Sequence, residues 1–126
     1  MMKELVIDKT VKTPFVHFNP DTGILKISGR SIPENPEDFY DKLFDWVKDY
    51  FNHPQKETII EIQLEYINSG SSKFILEFFQ LMQEFYLQDK ECRINWYYEE
   101  DDEAVFELGK HYQTLINVPF KLIEIY

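Results

Sequence analysis

A single cysteine, Cys92, stands in a chain of 126 residues, so no disulfide closes within it and packing alone must hold the fold. The four glycines are isolated from one another, which removes the Gly-rich loop that cradles a nucleotide phosphate. Basic residues are scarce: 13 lysines and arginines against 23 acids give a formal net charge of −10. No basic stripe exists to follow a phosphate backbone, so nucleic acid is excluded as a partner, and an acidic surface is equally ill suited to an anionic membrane face. No apolar run approaches the roughly 20 residues that cross a bilayer. The first ten residues mix charged and apolar side chains rather than forming a signal peptide's apolar stretch, so a soluble, cytoplasmic protein is expected.

What the chain has is apolar and aromatic mass. Hydrophobic residues make up 44% of it, including 11 phenylalanines, 8 tyrosines and 2 tryptophans, enough to offset the ordering entropy of a packed core. The length is that of one domain, expected over residues 1–126.

Two extended segments, from Phe15 and over Ile24–Ser28, flank Asn19-Pro20-Asp21-Thr22-Gly23, a loop with the fixed φ, side-chain acceptors and glycine of a hairpin connection. Asn35-Pro36-Glu37-Asp38 then reads as a helix start, with Phe39, Leu43, Trp46, Val47 and Tyr50 on one face and an end near Phe51. Ile60, Ile62, Leu64 and Tyr66 alternate with polar residues, as do Cys92, Ile94, Trp96 and Tyr98, so each strand is covered on one face only. Cys92 falls among the buried positions, a packing role.

Between those strands a helix is predicted from about Ser71 to Tyr86, with Phe74, Ile75, Phe78, Phe79, Leu81, Met82, Phe85 and Tyr86 on an arc too wide for contact with a sheet alone. The arc suits a central helix touching two neighbours, or an exposed strip that assembles subunits. A third helix follows the acidic run Glu99–Glu103, and Phe120–Tyr126 closes the chain as a strand. The expected fold is α/β, an α+β sandwich of about five strands in a mixed sheet with three helices chiefly on one face.

Chemistry-bearing patterns are sparse. His17, His53 and His111 are far apart in no ligand spacing, and the acidic run lacks the glycine and alternating oxygens of a calcium loop, so no metal and no cofactor is expected. No histidine is placed by sequence to activate a serine, which argues against an enzyme. Tyr97 and Arg93, on the polar face of their strand, could line a small-molecule site. The remaining feature is the strand-to-helix junction Asn68-Ser69-Gly70-Ser71-Ser72. There a serine hydroxyl caps the helix, or the free N–H groups and the helix dipole favour a phosphorylated serine.

Thr13-Pro14, Gly29 with Ser31-Ile32-Pro33-Glu34-Asn35, Leu64 with Tyr66-Ile67-Asn68-Ser69, Ser71-Ser72-Lys73 and Trp96-Tyr97-Tyr98 follow one another as landmarks. Through them the chain resembles, over nearly its full length, the SiaC family of bacterial regulatory phosphoproteins, whose fold is like that of the STAS domains of anti-sigma factor antagonists. The resemblance implies a partner switch that controls cyclic-di-GMP output and biofilm behaviour rather than an enzyme. It implies phosphorylation of Ser69, with Ser71 and Ser72 as secondary acceptors, and Asn68, Gly70, Ser71, Ser72 and Lys73 as the surrounding partner surface. The implied partners are a Ser/Thr kinase of the SiaB type, a PP2C-like phosphatase and a diguanylate cyclase. Gly70 departs from the family pattern, which often has a hydroxyl residue there.

Overall fold

The computed structural model describes residues 2–126. Strands β1 (Leu5–Ile7), β2 (Phe15–Asn19), β3 (Ile24–Ser31), β4 (Thr58–Ile67), β5 (Cys92–Glu99) and β6 (Phe120–Ile125) form one sheet in sequence order. Helices α1 (Pro36–Tyr50), α2 (Ser69–Tyr86) and α3 (Glu103–Leu115) connect the last four strands. The first three strands are antiparallel and the rest of the pairings are parallel. Right-handed crossovers between successive neighbouring strands put all three helices on one face.

The expected mixed sheet is present with six strands rather than five. The added strand, β1, is three residues long and lies between charged residues, too short for an alternation to register; it pairs Leu5 with Phe18 and Ile7 with Val16. The hairpin loop is as its residues suggest: Gly23 has φ 75°, and a Cβ there would lie 2.6 Å from the Glu57 carbonyl.

The core fills the space between sheet and helices. Val16, Phe18, Leu25, Ile27, Ile60, Ile62, Ile94 and Trp96 point from the sheet, and Leu43, Val47, Ile75, Phe78, Phe79 and Met82 meet them from the helices. Cys92 is buried among these, and its thiol, pushed up to about 12 by burial and then by the Glu91 charge, stays protonated. The wide arc of α2 is that of a central helix. On one flank Phe74 stacks on Tyr40 at 5.8 Å and Phe85 on Phe51 at 4.3 Å; on the other Phe79 meets Tyr112 edge-on at 5.4 Å. Most of the apolar arc is therefore spent on α1, α3 and the sheet.

Helix α3 approaches the sheet closely because Gly109 has no side chain. A Cβ on it would fall 2.5 Å from the Trp96 indole and 2.8 Å from Leu122 Cδ2. Gly109→Ala is therefore expected to lower stability by about 1–3 kcal/mol despite alanine's better helix propensity. A urea titration measures this, and an unchanged or higher midpoint would contradict the close packing.

Candidate functional site

The sheet delivers the ends of β3 and β4 side by side to the starts of α1 and α2. Register fixes this, with Ser31 paired to Ile67. The Asn68 N–H donates to the Ser31 carbonyl at 3.1 Å, so the turn into α2 hangs from the end of β3. The Asn68 side-chain oxygen then accepts from the Ser71 N–H at 2.8 Å, and its carbonyl accepts from the Ser72 N–H at 3.0 Å. Asn68 is the cap, not a serine hydroxyl, and α2 begins at Ser69, two residues before the expected start. Asparagine's standing among cap residues was the signal for it in the sequence.

The three serines receive different environments. Ser69 is exposed at the first helical position. Ser72 is half-buried and its hydroxyl donates to the Ser69 carbonyl at 2.9 Å. Ser71 is fully buried with its Oγ unpartnered, so of the residues expected on the partner surface it alone does not reach solvent in this conformation. Asn68, Gly70 and Lys73 are exposed. Gly70 has no positive φ, and a Cβ there would meet Pro36 Cγ at 3.6 Å, ordinary van der Waals contact, so a side chain is sterically admissible.

Electrostatically, the start of α2 differs from the other two. Helix α1 carries Glu37 and Asp38 in its first turn and α3 carries Glu103, whereas α2 carries no acid there. Among the described residues, the Ser69 and Gly70 N–H groups have no protein acceptor and Lys73 has no ion pair. This helix end is thus a positive pole without a compensating carboxylate of its own.

Tyr112, Tyr40 and Lys12, which the sequence reading did not single out, brace this turn together with the landmark residues. The Tyr112 hydroxyl donates to the Ser72 carbonyl at 2.8 Å, joining α3 to the first turn of α2, and burial raises its phenol above the usual range. Behind the turn the buried Ser31 and Tyr40 hydroxyls are 2.5 Å apart. Lys12 pairs with Glu34 at 2.5 Å, and the Ile32 N–H donates to the Lys12 carbonyl at 2.8 Å. The landmarks spread along the sequence therefore converge on one end of the sheet.

The polar sheet face behaves otherwise. Arg93 and Tyr97 lie on the same face of β5 but four residues apart, about 13 Å along a strand. Arg93 faces Glu57 at 3.7 Å, while Tyr97 borders a hollow of about 250 Å³ with Ile24, Lys26, Glu61 and Gln63. Burial, and then the neighbouring Glu61, push the Tyr97 phenol up to about 12. Arg93 does not line that hollow, and its positive charge acts on the Tyr97 phenol in the sense opposite to Glu61. Among the described residues no group of His, Cys, Asp or Glu is arranged to hold a metal ion, and no helix is long and apolar enough to cross a membrane.

The model of the SiaC family regulatory phosphoprotein matches residues 7–125, which defines the class as small regulatory phosphoproteins. The chain belongs to the SiaC family. It is similar to apo-SiaC from Pseudomonas aeruginosa, with 26% identity, a TM-score of 0.89, and coverage of 97% of this chain and 99% of that one. It is also similar to a chain in the crystal structure of the diguanylate cyclase SiaD in complex with its activator SiaC, again from Pseudomonas aeruginosa. That match has 26% identity, a TM-score of 0.91, and coverage of 96% of this chain and 99% of that one. A protein sequence of Pseudomonas aeruginosa strain UCBPP-PA14 is 26% identical to this chain over 121 residues, 96% of each chain.

The capping geometry sets two opposite expectations. Asn68→Ala removes the side-chain acceptor for Ser71 N–H and is expected to cost about 1 kcal/mol. Gly70→Ala, in a helical and uncrowded position, is expected to be neutral or to stabilise by up to about 1 kcal/mol. Thermal unfolding of both variants reads the signs; a destabilised Gly70→Ala protein would mean that the first turn of α2 is not helical as described.

Proposed function

We propose that this chain is a non-enzymatic signalling phosphoprotein that acts as a single-domain partner switch in the cytoplasm, reversibly phosphorylated on Ser69. The observation that carries the reading is the contrast among the three serines: Ser69 is exposed at the head of α2, while Ser71 is buried and Ser72 is bonded back into the turn. A phosphate on Ser69 brings about −1.5 to −2 charges to a helix start with no acid in its first turn, where the dipole and the nearby N–H groups favour it. Lys73, one turn on and without an ion pair among the described residues, adds a cation to the same end. Little unfolding is expected, and the change is one of surface charge.

The effector proposed is a diguanylate cyclase or a similar protein. The similarity to SiaC, described as the activator of the cyclase SiaD in the complex of the two, supports this choice. The unphosphorylated surface around Asn68, Ser69, Gly70, Ser72 and Lys73 docks the effector, and the added phosphate displaces it. A kinase of the SiaB type and a PP2C-like phosphatase set the state. Charge misplaced against a docked partner costs several kcal/mol, enough for about a hundredfold loss of affinity.

Phosphopeptide mapping of the protein from its native cell, under phosphatase inhibition, is expected to find one phosphate, on Ser69. Ser69→Ala is expected to abolish phosphate incorporation and to keep effector binding, and Ser69→Asp to weaken binding only in part, because it brings one charge and planar geometry. Undiminished incorporation in Ser69→Ala would refute the assignment.

A further inference from the structure

The pairing of β4 with β5 stops at Ile62 and Trp96, although β4 runs on to Ile67 and β5 to Glu99. Each strand keeps its outer partner beyond that point: β4 stays on β3 as far as Ser31 and Ile67, and β5 stays on β6 as far as Glu99 and Ile125. The sheet therefore forks. A parallel strand turns the N–H and C=O of alternate residues to each side, so Leu64 and Tyr66 of β4 and the Tyr97 carbonyl and Glu99 N–H of β5 are turned into the fork beyond the last β4–β5 pair, while the Glu99 carbonyl accepts from the Asp102 N–H at 3.0 Å. Two strand edges of this kind face each other inside the molecule, where sheets ordinarily have none.

The fork opens a cleft of about 640 Å³, well within the range of ligand sites. Its walls include the aromatic residues Tyr66, Tyr97 and Tyr98 and the acids Glu65, Glu99 and Asp102, and no lysine or arginine lines it. Among the described residues Glu99 and Asp102 form no ion pair. Asp102 uses one oxygen to cap α3, accepting from the Val105 N–H at 3.0 Å. The chain already demonstrates what this combination attracts: the Arg30 guanidinium lies 5.1 Å from the centre of the Tyr66 ring, with its Nε 3.9 Å from Glu65.

We propose that this cleft docks an extended, arginine-bearing segment of a partner protein. The paired strand edges call for a ligand with N–H and C=O groups at strand spacing, which an extended peptide supplies. The carboxylates and tyrosine faces call for a planar cation that bonds and stacks together, which is the guanidinium. A phosphate-bearing small molecule would meet three carboxylates in the cleft, against the attraction of one helix start that Asp102 already caps. The inference does not depend on modification of Ser69.

The test is a titration of the full chain with a terminally blocked Val-Arg-Val-Arg-Val peptide, followed by amide proton–nitrogen correlation spectra. The expected shifts concentrate at residues 63–67 and 97–99. Affinity is expected to fall about tenfold for the Val-Gln-Val-Gln-Val peptide, and by a similar factor for the Glu65→Gln/Glu99→Gln protein, whose substitutions are exposed and whose own spectrum reports that it is folded. Raising the salt to about 0.5 M should weaken binding as well. Shifts confined to other regions, equal binding of the glutamine peptide, or no shift at millimolar peptide would overturn the proposal. Arginine amide binding as tightly as the peptide would also overturn it, by making the ligand a small cation.

Discussion

Much of this molecule follows from having α2 in the middle. A sheet built in sequence order, with every crossover of the same hand, stacks its helices on one face, and the second of three must pack on two sides as well as below. That requirement explains an apolar arc wide enough to carry Phe74 towards Tyr40 and Phe79 towards Tyr112 while Ile75 and Met82 face the sheet. It also fixes where α2 starts. A helix pinned along its length by stacked rings cannot shift its first turn, so Ser69 is presented in one place and Ser71 is driven inward.

The sequence made the middle of each element legible and its ends less so. Alternation in Ile60–Tyr66 and Cys92–Tyr98 identified two strands because one face of each is buried by helices and the other is not. β1 escaped because three residues offer no period. The start of α2 was misplaced by two residues because three hydroxyl residues competed with Asn68 for the cap, and only the geometry of one oxygen decides between them. The serine junction itself stood out, yet the separation of Ser69 from Ser71 depends on which side of a helix each falls once α1 and the sheet are in place. The fork was invisible for a different reason: alternation describes one strand at a time and carries no information about where two strands part.

The charges are distributed with the same economy. Acids stand at the starts of α1 and α3, where they satisfy local dipoles, and at the start of α2 there are none. The same end of the sheet thus presents a positive helix pole next to a cleft walled by carboxylates, and the Arg30–Glu65 contact lies on β3 and β4 between the open face and that cleft. A strongly negative protein consequently has, within one end, regions of opposite preference.

The two tryptophans sit in separate parts of this framework. The Trp46 indole donates to the Lys3 carbonyl, ahead of β1, at 2.9 Å, and the Trp96 indole donates to the Val105 carbonyl in α3 at 3.0 Å. Trp96 also lies 5.4 Å from Tyr112, the residue that holds the first turn of α2. Each indole is thus an optical probe of a different seam. The emission of Trp46 follows the attachment of the N-terminal segment, and that of Trp96 follows the seam between α3 and the serine turn. With no third tryptophan to blur them, the chain carries two intrinsic fluorophores that can be read one at a time by replacing the other.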